Sequence, residues 1–333
     1  MKNKTDIQNI IIDTDMGWDD VIAILLLMKN PNINIMGITV TGCGETHLDD
    51  GVYLAKSLLE LGNIDAPVCA GASKPSSLNN QFPQEFRNMM DDCCGLRSSL
   101  PIPQKSTDER SAVKFICDII NEKENITILS LGGLTNLSPL LEIKPTPKLE
   151  NIHNLVIMGG AVFVDGNVAL LNNSEARWDQ GSQYSTNNDA EWNVFLDAHA
   201  AKKIIQSSIP ITLVPLDACN HVILDSSYEN LVTSDDAIAN ILRRLVKEKV
   251  SGPTKEEIPL PIFDPLAALI ATNSLDKIRV EKIRMDVTTL QTHQNNSCGK
   301  TSPSYDENLP EIDVITAVSA DEFKQIFSQL ANN

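Results

Sequence analysis

The chain has 333 residues, with 27 Lys and Arg against 44 Asp and Glu and a formal net charge of −17. That excess disfavours nucleic-acid backbones and anionic membrane surfaces, both of which attract basic patches. Hydrophobic residues at 42% and charged ones at 21% are too apolar a mixture for disorder, and the length suits one large α/β domain or two smaller ones.

Taken in chain order, short apolar, β-branched runs alternate with helical stretches. Ile10-Ile11-Ile12 leads into Asp13, and a helical pattern runs from Asp19 to Met28. A strand at Ile35 to Val40 precedes a helix at Leu48 to Leu61, followed by Pro67-Val68-Cys69-Ala70 and a helix at Ser111 to Asn121. Further strands are read at Ile126 to Leu131, Leu155 to Met158 and Ile211 to Leu216. Buried strands alternating with helices indicate a mostly parallel central sheet covered on both faces, with sites outside the carboxyl ends of its strands. Residues 168–190 and 291–309 are rich in Gly, Ser and Asn and read as loops. Because the alternation resumes on each side, the expectation is one domain over residues 1–333.

No stretch approaches the ~20 apolar residues needed to span a bilayer. Met1-Lys2-Asn3-Lys4-Thr5-Asp6 lacks the apolar core of a signal peptide, so a cytoplasmic protein is expected. The seven cysteines are odd in number, include the vicinal pair Cys93-Cys94 and form no CxxC. Free thiols are therefore expected, with neither a disulfide framework nor a zinc site.

The densest feature is Asp13-Thr14-Asp15-Met16-Gly17-Trp18-Asp19-Asp20, directly after the first apolar run. Four carboxylates so close repel one another unless solvent, a cation or bound protons neutralise them. Three readings follow from the residues: a solvated turn with Asp19 or Asp20 capping a helix, a phosphohydrolase with a DxD nucleophile, or an oxygen-lined site for a hard divalent cation. The apolar runs on both sides argue against full exposure.

Asp15-Met16-Gly17-Trp18-Asp19-Asp20 resembles the DxDPGxDD signature of the nucleoside hydrolases, the inosine–uridine-preferring hydrolase family. Further similarities follow in family order: Leu131-Gly132-Gly133-Leu134-Thr135-Asn136, Ile157-Met158-Gly159-Gly160-Ala161, Gly166-Asn167-Val168, Ala190-Glu191-Trp192-Asn193 and Asp264-Pro265-Leu266-Ala267-Ala268. The resemblance spans residues 10 to about 270. It implies calcium-dependent hydrolysis of ribonucleosides to free base and ribose, in a homodimer or homotetramer. Asp15, Asp20, Asp264 and the main-chain carbonyl of Leu131 are then the Ca2+ ligands, and Asp15 is also the general base toward water. The family usually has Thr where Leu131 stands, but only the carbonyl is used. Asp13 would orient these groups, and Asp19, Asn167, Glu191 and Asn193 would bind ribose. Taken singly, Glu191 and Asn193 also read as helix-start residues.

The leaving group divides the family. Pyrimidine-tolerant members carry a His just before the last metal Asp; this chain has Phe263. Phe82-Pro83-Gln84-Glu85-Phe86-Arg87 resembles a segment that supplies one aromatic wall in the purine-specific inosine–adenosine–guanosine branch, and Asp217-Ala218-Cys219-Asn220 is similar to that branch too. The resemblance thus implies a purine ribonucleoside stacked between Phe86 and Phe263, where branch members have Trp. After the second strand, where the family places Asn or Asp, stands Gly42-Cys43-Gly44-Glu45. Either Glu45 substitutes or a sugar contact is missing. His47 lies near in sequence, His153, His199, His221 and His293 fall outside every matched motif, and Trp178 and Tyr184 are positioned to close over a base. The rival readings are a DxD phosphohydrolase and a non-catalytic nucleoside- or calcium-binding module. An acidic field also penalises phosphorylated substrates.

Overall fold

The computed structural model describes residues 7–77, 79–169, 187–251, 260–290 and 297–333. Ile10, Ile11 and Ile12 explain the architecture in miniature. Side chains alternate across a strand, so Ile10 and Ile12 enter one apolar cluster and Ile11 the cluster on the opposite face. Their strand, β1 (Gln8–Thr14), is accordingly buried on both sides. It pairs in parallel with β2 (Ile33–Val40) on one side and with β4 (Ile126–Ser130) on the other.

With β3 (Val68–Ala70), β5 (Ile152–Met158), β6 (Ile211–Val214), β9 (Ile278–Val287), β10 (Thr301–Pro303) and β11 (Glu311–Val318), these strands form a nine-stranded sheet. Its order is β10-β9-β11-β6-β5-β4-β1-β2-β3. The seven strands from β11 to β3 run parallel, while β9 and β10 continue the sheet antiparallel. The architecture is the expected mostly parallel α/β domain, with the antiparallel edge added. The chain leaves β1 toward β2 and β3 and later returns on the other side through β4, β5 and β6. That reversal opens a crevice at the carboxyl ends of β1 and β4.

Helices cover both faces. The helix α1 (Trp18–Met28) is buried from Trp18 through Leu27 and packs against the helix Asp264–Ala271. The helices α2 (Leu48–Leu61), α3 (Gln84–Asp91) and α4 (Ala112–Glu122) follow in sequence. A separate two-stranded ribbon pairs β7 (Ile223–Leu224) with β8 (Leu260–Pro261) and delivers the chain to Phe263.

Several boundaries differ from expectation. The strand read to Leu131 ends at Ser130, and the one read to Leu216 ends at Val214, because Leu216 opens a one-turn helix, Leu216–Cys219. Residues 291–309 are not all loop, since Thr301–Pro303 pairs with β9. Within 168–190, Ala190 makes an isolated bridge to Lys300. Trp178, Tyr184 and His293 lie outside the described residues. All seven cysteines are free. Among the described residues no helix is long and apolar enough to cross a membrane.

Candidate active site

The acidic cluster stands in the crevice between β1 and β4. Asp13 is the buried penultimate residue of β1, and its Oδ1 accepts from Thr39 Oγ1 at 2.6 Å and Asn136 Nδ2 at 2.8 Å. Its Oδ2 is buried without a hydrogen-bond partner. Burial pushes the Asp13 carboxyl up to about 7, although both hydrogen bonds oppose the shift.

Beyond Thr14 the chain turns sharply into α1. Met16 takes a left-handed φ of 60°, a conformation that costs an ordinary residue ~1–2 kcal/mol. The Thr14 hydroxyl holds the turn, accepting from Met16 N at 2.9 Å and donating to Asp20 Oδ1. Asp20 Oδ2 accepts from Gly17 N at 2.9 Å, so Asp20 also satisfies an unpaired amide at the helix start.

This turn and the start of the helix Asp264–Ala271 bring Asp19, Asp20 and Asp264 together, with carboxylate oxygens within 4.8 Å of one another. The carboxyls of Asp15 and Asp264 also lie close enough to that of Asp20 to bear on its titration. Carboxyl groups in such contact must share protons or a cation. Burial, reinforced by mutual repulsion, lifts Asp15 and Asp264 well above the ordinary carboxylate range and Asp19 to about 7. Asp20 is raised as well, chiefly by burial.

The loop after β2 closes the same cluster from above. Glu45 N donates to Asp15 Oδ2 at 3.1 Å, and Thr46 donates twice to the Asp15 carbonyl, from N at 3.1 Å and from Oγ1 at 2.7 Å. A Cβ on Gly44 would lie 1.7 Å from Asp15 Oδ2, so only glycine admits this approach. Gly17 has the same role toward Glu45, whose Oε2 would lie 2.2 Å from an added Cβ. That Oε2 is buried without a hydrogen-bond partner. Burial first, and then Asp19, Asp15 and Asp20, raise the Glu45 carboxyl well above its usual range. Of the two alternatives for this loop, the carboxylate is therefore present beside the cluster. Arg87 fastens the loop, donating to the carbonyls of Gly42 at 2.8 Å and Thr46 at 2.6 Å.

A second set of expected residues gathers at the ends of β4 and β5. Asn193 Nδ2 donates to the Leu131 carbonyl at 2.9 Å and to the Met158 carbonyl at 3.2 Å. Glu191 caps the helix Trp192–Leu196 and accepts from Asn193 N, Val194 N and Gly160 N. Asn167 Oδ1 accepts from Trp192 N at 3.0 Å. The helix-start role thus applies to Glu191 in the structure, alongside any ribose contact.

Of the two expected base walls, Phe86 is buried within a stack of rings. Its centroid is 5.2 Å from Phe82, which lies 4.1 Å from Trp192. Phe263 is half-buried and directly precedes Asp264. Asp217 accepts from Val162 N and Phe163 N, fixing the turn beyond Gly159-Gly160.

The sequence from residue 10 to residue 325 matches the family described as inosine-uridine preferring nucleoside hydrolase. The chain belongs to this family. A uridine nucleosidase from Arabidopsis thaliana is 32% identical over 217 residues, 63% of this chain and 56% of that protein. An uncharacterized Schizosaccharomyces pombe protein is 33% identical over 211 residues, 62% of this chain and 61% of its own. The chain spans about three fifths of the length of these two relatives. The pyrimidine-specific ribonucleoside hydrolase RihB of Escherichia coli is 28% identical over 254 residues, 75% of this chain and 67% of that one. A plant nucleoside hydrolase superposes with a TM-score of 0.78 at 21% identity, covering 98% of this chain and 99% of its own. A purine-preferring ribonucleoside hydrolase from Gardnerella vaginalis gives 0.76 at 23% identity, covering 97% and 99%. These solved structures share the nucleoside hydrolase fold.

Sequence reasoning passed over two groups that the fold brings to the cluster. Lys249, on the helix Ala237–Ser251, packs its ammonium over Trp18. Arg87 holds the loop from behind, and its place inside the Phe82–Arg87 segment was the available signal. His47 is turned to other use: its Nδ1 lies 2.6 Å from Asp91 Oδ2, and its backbone N donates to the same carboxylate at 2.8 Å.

Proposed function

We propose that the chain is a calcium-dependent N-ribohydrolase that releases the free base from purine ribonucleosides, with Asp15 as general base. The observation carrying this reading is the convergence of Asp19, Asp20 and Asp264 at one buried point, with Asp15 near enough for their charges to raise its carboxyl and the orphaned Glu45 Oε2 near enough to feel the same charges. Such an all-oxygen donor set fits a hard divalent cation, which satisfies carboxylates that otherwise take up protons. When bound there, calcium supplies Lewis-acid activation of water and an anchor for ribose hydroxyls.

The side chains supply the rest. Asp15 accepts the proton of the attacking water, while the Glu45 amide holds its other lone pairs in register. Asp20 and Asp264 are the remaining carboxylate ligands, together with the Leu131 carbonyl. Asp19, Asn167, Glu191 and Asn193 orient the sugar hydroxyls. A site that pairs each hydroxyl rejects 2′-deoxyribose, because its own polar groups would lose partners. Phe86 and Phe263 flank the base, and the acidic surroundings favour a neutral nucleoside over a nucleotide.

The decisive assay is base release from inosine, adenosine, guanosine and uridine, with and without chelator. Chelation abolishes turnover, and a purine is the best substrate. Activity that survives complete metal removal, or phosphate release from nucleotides, refutes the reading. A pyrimidine preference is the rival, favoured by the names of the Arabidopsis and E. coli relatives, and the same panel separates the two. Light scattering in solution tests the homodimer or homotetramer that the family resemblance implies.

A further inference from the structure

The loop after β2 approaches Asp15 so closely that a Cβ on Gly44 would stand 1.7 Å from Asp15 Oδ2. Directed bonds set an approach that tight, and they come from two sides. On the inner side the Glu45 amide meets Asp15 Oδ2, and Thr46 N and Oγ1 meet the Asp15 carbonyl. On the outer side stands α3. Its Arg87 Nη2 donates to the carbonyls of both Gly42 and Thr46, and its Asp91 carboxylate accepts from His47 N and lies 2.6 Å from His47 Nδ1. Arg87 and Asp91 are four residues apart, so they share one face of the helix. That face is built against the loop.

Arg87 does more there than fill space. One nitrogen takes two carbonyls four residues apart, which draws the ends of residues 42–46 to a single point and fixes the curvature between them. The stretch so bent carries the very amides that hold Asp15. Arg87 is only 8% exposed, and its Nε is buried without a hydrogen-bond partner. Burying a guanidinium is costly, and an apolar side chain of similar reach would avoid that cost. What the guanidinium alone supplies is a rigid, planar set of donors that fixes two acceptors at once.

We propose that Arg87 is a positioning residue for the reaction: it clamps residues 42–46 so that the Glu45 and Thr46 amides hold Asp15 at the angle from which it takes the proton of water. The role of Asp15 in this statement rests on the N-ribohydrolase reading, whereas the clamp is a property of the loop itself. Arg87 needs no contact with the nucleoside. Proton removal from water is required whichever base departs, so the effect falls on the chemical step and not on substrate binding.

The test is a set of single and double variants assayed on inosine in calcium-loaded protein. Arg87→Met lowers kcat by ~10²-fold, the cost of displacing a reacting group by ~1 Å, and leaves KM within about threefold of wild type. Gly44→Ala disturbs the same contact from the inside, so the double variant Arg87→Met/Gly44→Ala is hardly slower than Gly44→Ala alone. Combined with Phe263→Ala, by contrast, the two losses multiply. Independently of turnover, amide hydrogen exchange at Glu45 and Thr46 quickens by about 10-fold in Arg87→Met. Arg87→Lys keeps a cationic donor and recovers part of both kcat and protection. A residue that only stabilised the fold would lower Tm and leave the kcat of folded protein unchanged. An unchanged kcat, a loss confined to KM, or losses that multiply between Arg87→Met and Gly44→Ala overturns the inference. Should Arg87→Met not fold, Arg87→Lys carries the same double-variant measurement. Wild-type protein that cleaves no nucleoside refutes the N-ribohydrolase reading, and exchange at Glu45 and Thr46 then decides the clamp: protection lost in the variant supports it, protection kept overturns it. Wild-type protein active on inosine with kcat unchanged in Arg87→Met overturns this inference alone.

Discussion

Replacing Gly44 by alanine tests how tightly the loop after β2 is built onto Asp15. The new methyl carbon would stand 1.7 Å from Asp15 Oδ2, 2.4 Å from its Cγ and 2.5 Å from its Cβ. Real contacts of this kind begin at 3.0 Å, so loop and carboxylate must separate by at least 3.0 − 1.7 = 1.3 Å. That movement removes the 3.1 Å bond from Glu45 N to Asp15, and a hydrogen bond to a charged group is worth ~1.5–3 kcal/mol. A displacement of ~1 Å at a reacting group lowers rates ~10²-fold. The expected fall in kcat/KM on inosine is therefore ~10²–10³-fold, with a reduced calcium-induced rise in Tm. Gly133→Ala is the matched control: its Cβ meets nothing closer than 3.5 Å, at a φ of −60° open to any residue, so activity and Tm stay at wild-type values. A folded Gly44→Ala protein with wild-type turnover would refute the view that this loop orients Asp15.

Metal-free protein should lose stability as pH rises. Asp13 and Asp19 titrate near 7 in the folded chain against 3.8 unfolded, so between these values the folded state holds protons that the unfolded state has released. Stability is then present at low pH and lost as pH climbs toward 7, by up to ~4 kcal/mol per group. Urea unfolding at pH 5 and pH 7.5 reads the trend, and calcium reverses the loss; metal-free stability that rises over this interval contradicts it. Asp15→Ala abolishes base release in the chelator-controlled assay, and residual turnover above 1% of wild type, on the order of one general base's ~10² contribution, counts against Asp15 as the base. Phe263→Ala lowers turnover ~3–10-fold, the worth of one stacking contact, while leaving the calcium-induced Tm shift intact. Asp197→Ala destabilises the fold by ~3 kcal/mol or more, because its buried carboxylate accepts from Ser76 N, Ser76 Oγ, Thr135 Oγ1 and Ala200 N; thermal unfolding measures that loss.

The centre of the site was legible because its signals are contiguous. Ile10 to Asp20 contains the strand, the turn and the start of α1, and Asp20 is placed by bonds within that stretch, although Asp13 and Asp15 take partners from Thr39, Asn136 and Glu45 farther along the chain. The parallel sheet was legible for a similar reason, since fully buried strands advertise themselves as apolar runs. What escaped depends on distance along the chain. Lys249 reaches Trp18 only through the packing of its helix against α1, and a lysine in a polar-looking helix carries no mark of burial. Glu45 could be located but not oriented, because its direction follows from the clearance at Gly17. The antiparallel edge was hidden by composition: β9 alternates charged with apolar residues, and Thr301-Ser302-Pro303 is too short and polar to read as a strand.

The row of rings Trp192–Phe82–Phe86 joins two parts of the site that are far apart in sequence. Trp192 lies between Glu191 and Asn193, and Phe86 lies on the proposed base wall, so the stack is a short rigid strut linking the proposed sugar contacts to the proposed base contacts. Contacts made with the base can then be expressed as alignment of the ribose, two functions that a loosely tethered aromatic would keep separate. Ribose alone, lacking the base that loads this strut, should be held less precisely than its share of contacts implies, and trimming the base should lower kcat as well as raise KM.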